Sequence, residues 1–443
     1  MGNASRGEQV YRWRQAYITS GLAKSGVRST APRLSVSAAI MYHSRVQLRN
    51  REQSAIFIRR GPGVRGSVIR WATMRKSIRS AIGATAEPAR RDGEGRVSSR
   101  RSMVNRPKAL AKRAVVSAIA RTAPLAWRWR RQRSLVVLMY HRVLPKDSPA
   151  RQIEQPGMYV SPETLDLHLT ELKRYFELVH LDEWLRRAKQ GAPLPKLACA
   201  ITFDDGWRDN YDFALPELMK HSAPATIFLV SSYIGTTYRF WPNQLISLLQ
   251  KSFAAPGSVS LPQPLGRIVE PLLAEARDRG RLTVEDVDRA VQEAKTFDEQ
   301  EIRRCVDAAE MSCENASAAA EILNGEEVAK MSATGMIRFG SHTATHFRLG
   351  GRMSSQQLER EIVGSRKVLQ ALSGQAIDLF CYPNGDTSPA AVDLVRRHYL
   401  GAVTTRKGWH SADGDPHLIQ RVGVHEDVSS TRAPFLERLS SWR

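Results

Sequence analysis

The apolar run Leu197-Ala198-Cys199-Ala200-Ile201 leads through Thr202-Phe203 into two adjacent carboxylates, Asp204 and Asp205, and Gly206 follows at once. A run of that length bounded by a turn residue reads as a buried strand that stops at a tight turn. Two negative charges side by side at a strand end repel each other. They are tolerated when a cation sits between them or when one carries a proton. Further along, Gly340-Ser341-His342-Thr343-Ala344-Thr345-His346 supplies two imidazoles. Carboxylate and imidazole donors together suit a zinc-type ion.

The rest of the chain repeats the pattern of a short apolar strand followed by a helix. Ser134-Leu135-Val136-Val137-Leu138-Met139-Tyr140 reads as the first buried strand, and Ser161 with Pro162 marks the cap and first turn of a helix carrying Leu165, Leu169, Leu172 and Phe176. Strands are expected again over 225–230, 336–340, 376–382, 400–404 and 418–424, with helices near 211–220, 354–373 and 388–398. Such alternation predicts an α/β fold with a parallel sheet, open or closed into a barrel. Tyr140-His141, Asp204-Asp205, His342 and Asn384 each fall just after a predicted strand. The C-terminal ends of parallel strands converge, so these groups are expected at one rim. Residues 236–325 break the rhythm with charged helical sequence and read as an insertion, leaving 134–235 and 326–430 as one domain.

Charge divides the chain further. Residues 1–133 hold 30 Lys and Arg against 5 Asp and Glu, whereas the remainder holds 36 against 39. The net charge of +22 therefore belongs to the N-terminal segment. Residues 1–102 lack a sustained apolar period, and their composition predicts a disordered extension. A nucleic-acid or anionic-membrane tether, an organelle transit peptide, or translation from Met103 are the alternatives. Residues 103–133 read as a basic amphipathic helix. Two placements are open to its 108–132 stretch, against a membrane surface or docked on the domain. No apolar run approaches the roughly 18 residues of a membrane span, and no signal peptide is visible. The expected location is cytoplasmic, or peripheral at the inner face of the membrane.

His342 and His346 are four residues apart, and a helical turn after the strand would put both on one side. With one carboxylate they make a three-ligand set, which leaves a position open for water as in catalytic rather than structural zinc.

ITFDDGWRDNY, GSHTATH and FCYPNGD, in that order, resemble the polysaccharide deacetylases of carbohydrate esterase family 4, the NodB homology domain. The resemblance covers about 134–235 and 326–425 and implies a distorted (β/α) barrel. Met139-Tyr140-His141-Arg142-Val143 resembles the branch with circularly shuffled motifs, to which poly-N-acetylglucosamine deacetylases belong. By that resemblance Asp204 is the general base, and Asp205, His342 and His346 hold a divalent metal, with zinc expected. The general acid is His141, or alternatively His425 near the end of the domain. Tyr382, Asn384 and Trp207 are the expected substrate contacts, with a backbone N–H near Tyr382 steadying the oxyanion. Cys381 stands where the family often has an arginine paired to the base, and Arg421 is the candidate to supply that charge from another strand.

The implied activity is removal of N-acetyl groups from a GlcNAc-containing polysaccharide or glycolipid. An O-deacetylase of the acetylxylan type, a non-haem iron site, an inactive carbohydrate-binding module and a nucleic-acid protein are the rival readings. An N-acetylated glycan is the expected partner, and nucleic acid is not.

Overall fold

The protein is described here from a computed structural model covering residues 98–130, 132–311, 321–351 and 353–440, with the backbone alone for 98–110 and 153. The expectations for the extension up to residue 97 lie outside the described residues.

Seven strands carry the fold: β1 Ser134–Tyr140, β2 Leu197–Phe203, β3 Ala225–Leu229, β4 Ile337–Ser341, β5 Leu379–Cys381, β6 Gly401–Lys407 and β7 Ile419–Gly423. Each pairs in parallel with the next, and β7 pairs with β1, so the sheet closes into a barrel in chain order. The barrel is uneven. β1 and β2 match from Ser134↔Leu197 to Tyr140↔Phe203, whereas β4 and β5 share only the Ser341↔Phe380 pair. A register shift between Ile419 and Arg421 bends β7 against β6. These irregularities lie on the side that faces the histidine loop and Cys381.

The strands are buried on both faces, which explains why they read as continuous apolar runs. Alternation sorts the side chains. Val136, Leu138, Cys199, Ile201 and Phe203 pack outward into the main helix-covered core. Leu135, Val137, Ala198, Ala200, Phe228, Leu379, Cys381, Val403 and Ile419 form the barrel interior, with Trp184 and Leu185 joining them. The period of two then sets Thr202 and Asp204 in line with Ala198 and Ala200, and Arg421 in line with Ile419. At Gly340 an added Cβ would come within 2.5 Å of the Phe228 ring, so the interior there has room only for glycine.

The expected helix after Ser161 is present as Pro162–Tyr175, with the Ser161 hydroxyl accepting from the Thr164 N–H. Helices Trp241–Ala254, Leu265–Asp278, Val284–Ala294 and Glu299–Met311 gather around an apolar cluster of their own, including Leu245, Leu249, Leu265, Val291, Ile302 and Val306. The basic helix runs Ser98–Arg128 and has no acidic residue. It buries Ala120, Ala123 and Trp127 in the main core, and Val115, Leu125 and Trp129 face outward. Among the described residues no helix is long and apolar enough to cross a membrane.

Candidate active site

Asp204 follows β2 and is buried at the barrel mouth. Arg421 meets it end-on: Nη1 donates to Oδ1 and Nη2 to Oδ2, both at 2.7 Å. The guanidinium is itself fixed, because Nε donates to the Thr404 carbonyl at 2.9 Å and Nη1 to the Thr202 hydroxyl at 3.0 Å. Nη2 also approaches the Cys381 sulfur at 3.3 Å. A sulfur stands at the end of β5, and the cation arrives from β7. Burial alone would raise the Asp204 carboxyl. The charge and hydrogen bonds of Arg421, with His342 and His141 nearby, outweigh it and hold the group below its ordinary value.

Asp205 turns the other way. Its backbone is left-handed at φ 77°, and Gly206 follows at φ 78°. An added Cβ on Gly206 would meet Leu229 Cδ2 at 2.9 Å, so the turn needs glycine for both conformation and space. Asp205 Oδ1 lies 3.4 Å from Nε2 of His342 and 3.4 Å from Nε2 of His346. The other oxygen accepts from the Trp207 indole N–H at 2.9 Å. His342 Nδ1 contacts the Cys381 carbonyl at 2.8 Å, which aims Nε2 at the aspartate. Burial pushes His346 down to about 4, which keeps it neutral. His342 goes the opposite way: burial lowers it, but Cys381, Asp205 and Asp204 more than compensate. The donor atoms of Asp205, His342 and His346 all lie within 4.8 Å of one another. One carboxylate and two oriented imidazoles fit a zinc-type cation with an open position.

The loop that carries both histidines is not the helical turn the spacing predicts. Residues 343–345 form turns, and Thr343 (φ 67°) and His346 (φ 59°) are left-handed. The two imidazoles converge because the backbone folds back. Their ring centroids are 4.8 Å apart. Thr345 is pinned from the barrel side, its N–H and hydroxyl each donating to Glu361 at 2.9 Å.

His141 follows β1, and its Nε2 is 3.9 Å from Asp204 Oδ2 with the side chain 19% exposed. His425 precedes a short helix, and its Nδ1 is 3.2 Å from an Asp427 oxygen. Burial lowers the His425 imidazole and Asp427 opposes that, while His141 is close enough to bear on it electrostatically. Both candidate acids therefore stand at one rim, and His141 is the one beside Asp204.

Two expected substrate contacts are corrected. Trp207 is 1% exposed, lies under the Arg142 guanidinium at 4.0 Å and packs against Phe240. Neither ring face is open to a sugar, and its polar edge serves Asp205 instead. Tyr382 is fully buried in the main core, and its own N–H donates to the Val403 carbonyl, so neither its ring nor that N–H is free for a substrate. Asn384 remains at the surface, left-handed at φ 57°.

Several supporting residues carry no signal that sequence reasoning used. Arg142 pairs with Asp209 at 2.8 Å and Glu154 at 2.9 Å in the buried layer behind Trp207. Arg142 follows the Tyr140-His141 pair and Asp209 follows Trp207, so their nearness to two site motifs was the available clue.

A closed parallel barrel with a carboxylate–imidazole trio and a paired second carboxylate at its C-terminal rim defines the class of protein. The sequence profile of the polysaccharide deacetylase family matches residues 191–285 and 288–403. Over those residues, just under half of the chain, it is similar to the polysaccharide deacetylase family. It is 32% identical over 114 residues to the poly-beta-1,6-N-acetyl-D-glucosamine N-deacetylase of Staphylococcus epidermidis, over 24% of this chain and 38% of that protein. It is 30% identical over 118 residues to YxkH of Bacillus subtilis, over 26% of this chain and 39% of that protein. The chain thus spans about two fifths of the length of each of these relatives. A solved structure, the Streptococcus pyogenes deacetylase PplD in complex with acetate, aligns with a TM-score of 0.46 and 18% identity, covering 70% of this chain and 99% of that one.

Proposed function

We propose that the chain is a metal-dependent hydrolase that removes N-acetyl groups from a GlcNAc-containing polysaccharide or glycolipid. Residues 134–235 and 326–430 form its catalytic domain, with 236–325 as a helical insertion. One observation carries the reading: of two adjacent buried carboxylates, Asp205 faces two imidazoles and Asp204 faces a guanidinium. Asp205, His342 and His346 would hold a divalent cation, zinc by its donor set, which when bound supplies an acidified water and a polarised carbonyl. Asp204, kept ionised by Arg421, accepts the water's proton. His141 then protonates the departing amine, because an amide anion does not leave at neutral pH. Asn384, exposed after β5, is the proposed glycan contact.

The test is acetate release from a chitooligosaccharide beside acetylated xylan, with metal analysis of the same samples. The expected outcome is one bound metal per chain and acetate from the N-acetylated sugar. Asp204→Asn is expected to keep the metal and lose about 10²–10⁴-fold in turnover. Acetate from xylan alone would assign an O-deacetylase, and an undiminished Asp204→Asn variant would remove Asp204 from the mechanism.

A further inference from the structure

We propose that the helical insertion is a positioning element for the metal-ligand loop, acting through Arg303. This rests on the metal-site reading above and adds a role for residues far from the sequence motifs. The loop from Thr343 to His346 is held carbonyl by carbonyl. The Ser231 N–H donates to Thr343 O at 3.2 Å and the Ser232 N–H to Ala344 O at 2.9 Å, both from the chain just after β3. The last two carbonyls are reached from the insertion. Arg303 Nη2, on the helix Glu299–Met311, donates to Thr345 O at 2.9 Å and to His346 O at 3.2 Å. Its Nη1 donates to the Tyr233 hydroxyl at 2.7 Å, and that hydroxyl in turn donates to Thr345 O at 2.7 Å.

The clamp is tied at a second point. Glu299 is 3% exposed and accepts from Arg303 Nε at 3.1 Å. Its other oxygen accepts from the Arg348 N–H at 2.9 Å and Nε at 3.1 Å. Arg348 reaches back to the carbonyls of Lys295 at 2.8 Å and Phe297 at 3.0 Å, just ahead of the same helix. The edge of Phe240, where the chain enters the insertion, meets the His346 ring at 5.0 Å between centroids. A left-handed non-glycine residue such as His346 persists only when its surroundings over-determine it. Here Arg303 fixes the carbonyl of that residue, Arg348 fixes the chain beyond it, and Phe240 fixes its ring. The insertion thereby sets where the His346 imidazole stands relative to Asp205 and His342.

Metal affinity of the full chain, measured by competition with a chromophoric chelator, and the visible spectrum of its cobalt form provide the test without an activity readout. Arg303→Met keeps the side chain's bulk and removes its donors. It is expected to weaken metal binding about 10–100-fold, the range for lost outer-shell partners, and to change the cobalt spectrum. Arg303→Lys is expected to recover part of both. Arg239→Met is the control, because Arg239 bonds Asn243 O, Ser247 and Glu310 within the insertion, with no hydrogen bond to the loop among the described residues. Equal losses in Arg239→Met and Arg303→Met would reduce the effect to insertion stability and overturn the proposal. Wild-type affinity in a folded Arg303→Met also overturns it and leaves the metal site intact, whereas a wild-type chain that binds no metal overturns both readings. Should Arg303→Met not fold, Glu299→Gln loosens the same clamp and is expected to shift affinity in the same direction, with an unchanged affinity counting against the proposal.

Discussion

Asp204 and Asp205 are neighbours in the chain, yet they are held by differently built regions. The Asp204 region is barrel wall: Thr202 on β2, Thr404 on β6, Arg421 on β7 and Cys381 on β5 gather around one carboxylate–guanidinium pair, each carried by a strand. The Asp205 region is loop: left-handed residues at 205, 343 and 346, an indole N–H, and polar contacts from an insertion. Register is shared by every pair in the sheet, so a side chain held by it shifts only if the barrel does. A loop has no such redundancy and needs hydrogen bonds from several elements. The contrast predicts that damage to the wall costs stability and sets the ionisation of the base, while damage to the loop costs metal affinity first.

The largest effect is expected at the wall. Arg421→Met removes the cation from a buried carboxylate, which leaves an uncompensated charge worth about 3–5 kcal/mol of stability. Asp204 escapes part of that penalty by taking a proton, because Arg421, the main influence opposing burial, is gone and only His342 and His141 still act against it. In the native protein Asp204 lies below its ordinary value and is ionised at all but strongly acid pH. In the variant the acid limb of kcat/KM moves to higher pH. Arg421→Lys keeps a charge but not the two-pronged contact and is expected to fall between. A pH–rate profile that does not move in either variant breaks the assignment of Arg421 as the partner of the base.

The wall also carries a pH-dependent stability of its own. His168 packs on Phe435, with ring centroids 3.8 Å apart, behind Tyr140 of β1. The Ser429 carbonyl can only accept, so Nε2 carries the proton at 2.7 Å, and Nδ1 accepts from the Tyr140 hydroxyl at 2.9 Å. Burial pushes this imidazole down to about 4, against the Ser429 hydrogen bond. The unfolded chain therefore binds more protons between about pH 4 and 6.5. Stability is full above 6.5 and falls on acidification through that window, by about 2 kcal/mol at pH 5. His168→Gln can keep both hydrogen bonds without titrating. The gap between urea midpoints at pH 7 and pH 5 should narrow in the variant, with His346 still titrating in the same window, and a gap as wide as in the wild type would show that other groups carry the acid sensitivity.

This division also explains what could be read from the chain. Alternation of strands and helices announced a parallel α/β sheet, and the resemblance implied its closure into a barrel; in the structure the period of two sets Asp204 and Arg421 inward. The parts built by register were therefore legible. His342 and His346 were visible as a pair, but the helical turn inferred from their spacing is a left-handed fold-back, because spacing does not encode backbone conformation. Trp207 read as a sugar platform because aromatic residues near a site suit that role, and burial beneath Arg142 has no local signature. Arg303, Glu299, Arg348 and Glu361 carried no signal. Their bonds to the loop join segments brought together only by the finished fold, and a charged residue on a helix reads as a solvated face.

The smallest expected effect is at Trp207, and it tests the loop side alone. Trp207→Phe keeps an aromatic ring between Arg142 and Phe240 but removes the five-membered ring with the N–H that orients Asp205 Oδ2, leaving a small cavity. One lost hydrogen bond to a charged group is worth about 1.5–3 kcal/mol where nothing replaces it. Part of that would return, because the freed oxygen can rotate toward the cation that Asp205, His342 and His346 are proposed to hold. Metal affinity is therefore expected to fall by about tenfold. The acid limb of kcat/KM should stay in place, since Arg421 and Asp204 are untouched. Chelator competition and the pH–rate profile read the two sides separately. A Trp207→Phe variant that moves the acid limb without weakening metal binding would show that the two carboxylates are not held independently, and the contrast between wall and loop would fail.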